Sequence, residues 1–563
     1  MRIRYCQENE TQNYTNDLHE ALINKRGCDF WKCWRSKFGA KEQNIIQVDK
    51  LTNACDIADK FAQHFQSICT PHSVDNSINL YNIYVKNRST YNGTPFQGVS
   101  VFDAEVVGNV VNEMKKGKAA GLDGLTAEHF QHCHPCVPTI LSKLFNLIME
   151  VGKVPDNFGS SYTIPLLKAN YTSMSKSLSV NDFRGISISP VVSKIFENAV
   201  LIIFKDYFNT SDNQFGFKKN SSCSHAIYSL RQAIYNFTDS GSTVNLCALD
   251  LSKAFDKLNH FGLFIKLMDR FVPNCLLEVL EHWFSISVTC VRWGHFVTRF
   301  VYMSCGVRQG GVLSPHLFSI YVDDVIDKIS RSNASCKLRL MCISIFMYAD
   351  DLLILSPSVT LLQKLIRVAE IELTFLDMPI NANKSMCIRI GPRHKIACAD
   401  IIAYDGAIIP WRNVCRYLGI YIMSSNAFKC DFDCAKKSFF RSFNALFGKI
   451  GRLASADVIA ELLKSKCFPV LLYGLEACPV NNTERKSFEF ALFRTYAKIF
   501  ETFSKEVIDN CREAFGLSSV STLIDRRKNN FLKRFVASEN QLCRTFYTNA
   551  NRELLSIKQF PGH

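Results

Sequence analysis

No stretch of this sequence approaches the ~18 uninterrupted apolar residues of a membrane-spanning helix, so no membrane partner is expected. Its first residues, MRIRYCQENETQNY, are polar and lack the apolar segment of a secretory signal. That absence decides how the cysteines are read. Twenty-three of them would indicate a disulfide scaffold only in a short secreted chain; here they read as reduced thiols of an intracellular protein. There is no internal repeat and no low-complexity tract, and acidic residues are in the minority. Asp and Glu number 51 against 66 Lys and Arg, a formal charge of +15 that favours a polyanionic partner such as nucleic acid. Apolar residues are plentiful: 47% of the 563 residues are hydrophobic and 21% charged, enough to bury a large core and to exclude wholesale disorder. At about 150 residues per domain, the length suggests three to four domain-equivalents.

Residues 18–39 read as a helix with Leu18, Leu22, Trp31, Trp34 and Phe38 set among Lys and Arg. The stretch 71–100, with five Asn, four Ser, two Gly and two Pro, reads as a linker. Beyond it, helical and strand-like segments alternate to about residue 423, which predicts an α/β or α+β body. The polar insert KANYTSMSKSLSVNDF (168–183) predicts an exposed loop. Residues 424–563 turn mostly helical: Phe439, Phe443, Phe447, Ile450 and Leu453 recur at helical spacing among Lys436, Lys437, Arg441, Lys449 and Arg452. This last segment holds 22 basic and 14 acidic residues, so over half of the net positive charge sits in a quarter of the chain. That is a solvated helix face or a nucleic-acid contact.

In MCISIFMYADDLLIL (341–355) two apolar runs flank Asp350-Asp351, which predicts a hairpin with an acidic pair at the edge of a buried sheet. A hundred residues earlier, NLCALDLSKAFDKLNH (245–260) shows an apolar strand ending at Asp250 and then a helical pattern. Three carboxylates on neighbouring strand ends suit two Mg²⁺ ions, which prefer oxygen ligands. Two such ions activate a hydroxyl and stabilise a leaving pyrophosphate in phosphoryl transfer. An acidic pair at a turn is also ordinary surface chemistry, and spacing alone leaves both readings open. Between them lies SCGVRQGGVLSPHLFSIYVDDV (304–325). Gly306, Gly310 and Gly311 give backbone capable of close approach, and Ser314-Pro315 opens a helix. Arg308 and Gln309 face a nucleotide or template there, unless the loop is simply a turn.

Taken in order, KAAGLDGLTAEHF (118–130), FRGISISPVVSKIFE (183–197), NQFGFKKNSSCSHAI (213–227), LDLSKAFDKLNH (249–260), GVRQGGVLSPHLFS (306–319), YADDLLIL (348–355), NANKS (381–385) and YLGI (417–420) resemble the blocks of a reverse transcriptase of the non-LTR (LINE-type) retrotransposon class. The likeness is dense over 115–423. It extends loosely to the N-terminal LHEAL, FW and FAQHF segments and to VLLYGLEACPV (470–480), which is similar to the family's thumb-side region.

The resemblance implies an α+β right-hand polymerase. Residues 1–105 would be an N-terminal extension and linker, 106–423 fingers and palm, and 424–563 a basic helical thumb and C-terminal region. It implies an RNA-directed DNA polymerase that extends a 3′-OH DNA primer on an RNA template with dNTPs. The setting would be target-primed retrotransposition in the nucleus, with a cytoplasmic RNA-bound phase. Asp250 matches the first palm aspartate and Asp350 and Asp351 the hairpin pair, together binding two Mg²⁺, with Mn²⁺ as a substitute. Phe255 falls where the family carries its sugar-selecting aromatic residue. Gln309 and Gly310 match the loop lining the dNTP and template site. Arg184 matches the residue that contacts the triphosphate, with Lys168 assisting. Lys384 lies in the block from which a lysine is proposed to protonate pyrophosphate. Tyr417, Leu418 and Gly419 correspond to the primer-grip turn.

Several positions depart from the family's pattern. Gly185 stands where Pro is usual, which predicts a looser fingers strand; the 168–183 loop is long; and NSSCS (220–224) replaces a Gly-Ser-Thr-like run. Only about 115 residues precede the first fingers block, and they match the region that normally follows the family's endonuclease. Nicking is therefore expected to come from elsewhere, and the chain to be a truncated reading frame or its polymerase part. Two other readings are a non-catalytic, co-opted nucleic-acid-binding relic and a group II intron-type maturase. The three intact aspartates favour the enzyme over the first, and the FW..W…FG and LEACP segments favour the LINE type over the second. HFQHCHPC (129–136) invites a zinc reading, but its ligands crowd into eight residues where structural sites join two separated pairs. Cys430 and Cys434 lack a second pair. Arg526, Arg527, Lys528, Lys533 and Arg534 read equally as an RNA-contact or nuclear-localisation patch and as a solvated face.

Overall fold

Consecutive residues of a strand point to opposite faces, so the unbroken apolar runs around the candidate aspartates need cover on both sides. The computed structural model describes residues 16–24, 27–38, 47–95, 101–168, 178–251, 253–450 and 454–558, and it shows that cover. β1 (Ser160–Leu167) and β2 (Phe183–Ile188) form an antiparallel hairpin. β3 (Val244–Asp250) begins a second sheet, while β4 (Val288–Trp293) returns to lie parallel to β1 in the fingers sheet. β5 (Ile345–Tyr348) and β6 (Asp351–Ser356) are a hairpin whose second strand pairs with β3; β7 (Met386–Ile390) takes β3's other edge. The palm sheet thus runs β7-β3-β6-β5, all antiparallel. A third sheet joins β8 (Val414–Tyr417), β9 (Ile420–Met423) and β10 (Lys429–Asp431).

The palm strands divide their side chains between two cores. Cys247, Leu249, Leu352 and Ile354 pack with helices Ser314–Arg331 and Val359–Phe375. Leu246, Leu353, Leu355 and Ile388 pack on the other face with Phe439, Phe443, Leu492 and Phe531 of the C-terminal helices, and with Leu18 and Phe30 near the N-terminus. The expected boundaries at 105 and 423 therefore do not separate cores. Leu80 and Phe102 belong to the fingers and palm core, and the C-terminal helices cover the palm sheet itself.

Nor is the described part of 71–100, residues 71–95, a linker. Val74–Arg88 is a helix, N-capped by Ser73, with Leu80 buried and Arg88 paired to Glu278 and Glu281. Its Asn and Ser residues lie around a narrow buried seam, which is why composition alone reads it as a loop. The spacing of Phe439, Phe443 and Ile450 does mark a helix, Asp433–Ile450, in which all three are buried; Leu453 lies outside the described residues. So does 169–177 of the polar insert. Among the described residues no helix is long and apolar enough to cross a membrane.

Candidate active site

A two-residue hairpin turn needs left-handed backbone. Tyr348 pairs with Asp351, so Ala349 and Asp350 form the turn, and Ala349 takes φ +56°. Asp350 stands at the tip and Asp351 opens β6, directly across from Asp250 at the end of β3. The three carboxylates oppose one another electrostatically. Burial, then the charges of Asp350 and Asp250, push the Asp351 carboxyl up to about 6, with Arg416 drawing it back. Asp250 is also raised, by burial first, with Lys384 opposing and Asp350 adding to the shift. Like charges held together in part-buried surroundings are what a cation relieves, and an all-oxygen donor set suits a hard divalent ion. Among the described residues no three acidic, His or Cys side chains stand close enough to hold an ion in common as placed. Asp250 and Asp351 are on neighbouring strands and Asp350 is on the turn between β5 and β6.

The NANKS block is a turn that caps β3. The Asp250 N–H donates to Ser385 Oγ at 3.1 Å, and the Asn381 N–H donates to the Asp250 carbonyl at 2.9 Å. That docking carries Lys384 to 4.0 Å from the Asp250 carboxylate.

Cations collect beside the carboxylates. The ammonium of Lys168 is pushed down by burial and by the nearby charges of Lys384 and Arg184, so the three lysine and arginine residues expected at the nucleotide share one neighbourhood. Arg184 is exposed on β2. Gly185 does not loosen that strand: a Cβ there would stand 2.8 Å from Thr163 and 2.9 Å from the Phe65 ring. The missing side chain lets the N-terminal helix Ala54–Ile68 pack against the fingers sheet.

The loop before the palm helix is docked on β2. Ser187 N–H donates to the Gln309 carbonyl at 2.8 Å, and Gly310, at φ +134°, approaches so closely that a Cβ would lie 2.3 Å from the Ser187 oxygen. Arg308 faces neither nucleotide nor template. Its guanidinium turns inward to the Phe158 carbonyl at 2.8 Å and to that of Gly159, while buried Glu197 accepts the Val312 and Leu313 N–H groups at 2.5 and 2.7 Å. A Gly-rich loop needs such anchors, and an arginine in one is as easily a strut as a ligand.

Gln309 is tied by its Nε2 to Asp256 Oδ1 at 2.9 Å. Burial raises the Asp256 carboxyl, with that bond and then Lys253 and Arg184 opposing. Sequence reasoning passed over Asp256, though it adjoins Phe255 in a block already singled out. Phe255 is half-buried, stacked on Phe318 at 4.4 Å and edge-on to Phe217 at 6.0 Å.

Tyr417, Leu418 and Gly419, expected as the primer grip, lie at the β8–β9 turn. Tyr417 pairs with Ile420, and Leu418 and Gly419 take φ +44° and +82°. Tyr473, from the YGLEACP segment, donates its hydroxyl to the Leu418 carbonyl at 3.0 Å. Its ring lies where a Cβ on Gly419 would come within 2.9 Å. Tyr417 is buried, and its hydroxyl's proton is retained by burial and by the nearby Asp351 charge, so the turn lies near the hairpin that bears Asp350 and Asp351. Nothing in the sequence singles out Tyr473 or Arg416 as a site residue.

In two other motifs some of the side chains have structural partners. His129 Nδ1 accepts the Thr126 N–H at 3.0 Å, and His134 Nδ1 accepts the Cys136 N–H at 3.2 Å, so both cap local turns. Of the basic cluster at 526–534, Arg527 pairs with Glu476 at 3.5 Å and Lys528 with Glu553 at 3.2 Å.

Residues 168–422 match the family model of the reverse transcriptase (RNA-dependent DNA polymerase). The chain is similar to the RNA-directed DNA polymerase from mobile element jockey of Drosophila funebris, 24% identical over 405 residues, which cover 68% of this chain and 42% of that protein. It is also similar to the probable RNA-directed DNA polymerase from transposon BS of Drosophila melanogaster, 22% identical over 474 residues, 80% of this chain and 50% of that one. A solved structure of telomerase from Candida albicans, in complex with a TWJ fragment of telomeric RNA, aligns at TM-score 0.36 and 10% identity over 97% of this chain and 92% of that one. The chain spans half the length, or less, of these curated relatives. Residues 168–422 are thus a reverse transcriptase domain, and the chain is a homologue of the RNA-directed DNA polymerases of non-LTR retrotransposons.

Proposed function

We propose that the chain is an RNA-directed DNA polymerase that extends a 3′-OH DNA primer on an RNA template with dNTPs, in the service of target-primed retrotransposition. The observation that carries this reading is the meeting of Asp250, Asp350 and Asp351 with Lys168, Arg184 and Lys384 at one end of the palm sheet. Holding three carboxylates together costs stability, and a protein that only bound nucleic acid would gain nothing from it. The aspartates would hold two Mg²⁺ ions, or Mn²⁺ in their place. When bound, such ions supply charge to the attacking hydroxyl and the leaving pyrophosphate. Lys168 and Arg184 attract and orient the triphosphate, and Lys384, 4.0 Å from the Asp250 carboxylate, gives the leaving group a proton. The Gln309–Gly310 backbone lines the nascent base pair, and the Tyr417–Gly419 turn seats the primer end.

Primer extension on a homopolymeric RNA template with a DNA oligonucleotide and Mg²⁺ tests this. Wild type extends; Asp250→Ala and Asp350→Ala lose extension by orders of magnitude, yet bind primer–template nearly as before, with affinity falling steeply as salt rises. Asp250→Ala extending at near wild-type rate refutes the assignment. Phe255 is expected to lie beneath the sugar, where a 2′-hydroxyl meets a filled site. Phe255→Val should then keep dNTP incorporation and admit rNTPs far more readily. If its stacking on Phe318 is its whole role, stability and synthesis fall together and the rNTP/dNTP ratio stays put.

A further inference from the structure

The hairpin bearing Asp350 and Asp351 turns through Ala349, a residue with a Cβ in the left-handed region, where such residues are disfavoured. A turn of this kind persists when its surroundings over-determine it. Here the constraint comes from outside the sheet. Gln214 is fully buried. Its Oε1 accepts the Ala349 N–H at 3.0 Å and the Gly216 N–H at 2.9 Å, and its Nε2 donates to the Ala349 carbonyl at 3.4 Å. One side-chain amide thus meets both backbone groups of the strained residue, as a neighbouring strand would.

The flanking residues extend the clamp along β5. Asn213 Nδ2 donates to the Cys342 and Ile345 carbonyls at 2.9 and 2.7 Å. The Met347 N–H donates to the Asn213 carbonyl at 2.9 Å, and the Phe215 N–H to that of Met347 at 2.8 Å. Gly216 permits the approach, since a Cβ there would lie 2.5 Å from the Ala349 nitrogen. None of these residues touches the carboxylates themselves. They hold the backbone from which two of the three project.

We propose that Gln214 is a positioning residue of the polymerase: by binding both backbone groups of Ala349 it fixes the turn, and with it the placement of Asp350 and Asp351 against Asp250. This rests on the polymerase reading above. Misplacing a reacting group by about 1 Å can cost ~10²-fold in rate, so the effect falls on the chemical step and on the metal requirement, while the surfaces that bind nucleic acid are left alone.

The test uses the full chain with Gln214→Leu, which keeps the size and loses all hydrogen bonding, and Gln214→Glu, which keeps an acceptor for the two N–H groups. The measurements are single-turnover extension against Mg²⁺ concentration, primer–template affinity, and hydrogen exchange of peptides spanning 345–353. Gln214→Leu should exchange faster over 345–353, extend ~10²-fold more slowly, need more Mg²⁺, and bind primer–template as wild type does. Gln214→Glu should recover ~10-fold or more of the lost rate. The proposal is overturned if Gln214→Leu keeps wild-type exchange protection over the turn. It is equally overturned if the lost rate comes with an equal loss of primer–template binding that Gln214→Glu does not restore. A wild-type chain that extends no primer counts against the polymerase reading, and the exchange measurement still judges Gln214.

Discussion

Two turns meet at the site, and they are built alike but held differently. Each is a two-residue hairpin turn with a residue other than glycine in left-handed backbone, Ala349 at φ +56° and Leu418 at φ +44°. Each has that residue's carbonyl bound by a side chain from elsewhere. For Ala349 the holder is Gln214, inside the 168–422 span that matches the reverse transcriptase family. For Leu418 it is Tyr473, which lies beyond that span, among helices that also cover the back of the palm sheet. The carboxylate turn is thus internal to the reverse transcriptase domain, whereas the primer-grip turn is completed by the C-terminal region. On the roles proposed for the two turns, chemistry and primer placement depend on different lengths of the chain.

Substitutions at Tyr473 test that division most severely. Tyr473→Ala removes both the hydroxyl bound to Leu418 and the ring against Gly419. It should weaken primer–template affinity and shorten products by about tenfold, in line with ~1–3 kcal/mol for an orphaned carbonyl and lost packing, and leave first-nucleotide addition at saturation much less affected. Tyr473→Phe keeps the ring, and losing one hydrogen bond worth ~0.5–1.5 kcal/mol should cost only a few-fold. Filter binding and product-length analysis separate the two. If Tyr473→Ala instead slowed the chemical step and spared primer binding, the two turns would not have separate duties.

Much of this was legible in the sequence, and what was missed has a common cause. The palm strands and their aspartates stood out because each lies in one contiguous segment whose apolar pattern is itself the signal. The 433–450 helix was legible for the same reason. Gln214, Tyr473 and Asp256 were not, since their work is done by contacts to residues far along the chain: 135 positions from Gln214 to Ala349, 55 from Tyr473 to Leu418, 53 from Asp256 to Gln309. Arg308 and Gly185 misled in the opposite sense. An arginine in a glycine-rich loop reads as a ligand, and a glycine in place of proline reads as slack. In the fold, one braces the loop and the other makes room for Phe65. The 71–100 segment shows that a helix with one buried residue, Leu80, carries almost no apolar pattern to read.

Placing glycine at each left-handed position makes the finest test of the comparison, because the same change should have different consequences. Glycine relieves the roughly 1–2 kcal/mol that left-handed backbone costs a residue with a Cβ, and adds about 0.5–1 kcal/mol of lost chain entropy. What remains is the side chain. Leu418 is 9% exposed and belongs to the core shared with the C-terminal helices, so Leu418→Gly also gives up burial worth ~2–5 kcal/mol and should be clearly destabilising. Ala349 gives up one methyl group, worth ~0.8 kcal/mol, so the contributions at that position nearly cancel. Ala349→Gly should therefore melt within about 2 °C of wild type and Leu418→Gly several degrees lower. Thermal denaturation of the two variants side by side measures the difference. Equal losses at the two positions would mean that the Leu418 side chain contributes no more than a methyl group, and the primer-grip turn would then be held by Tyr473 alone.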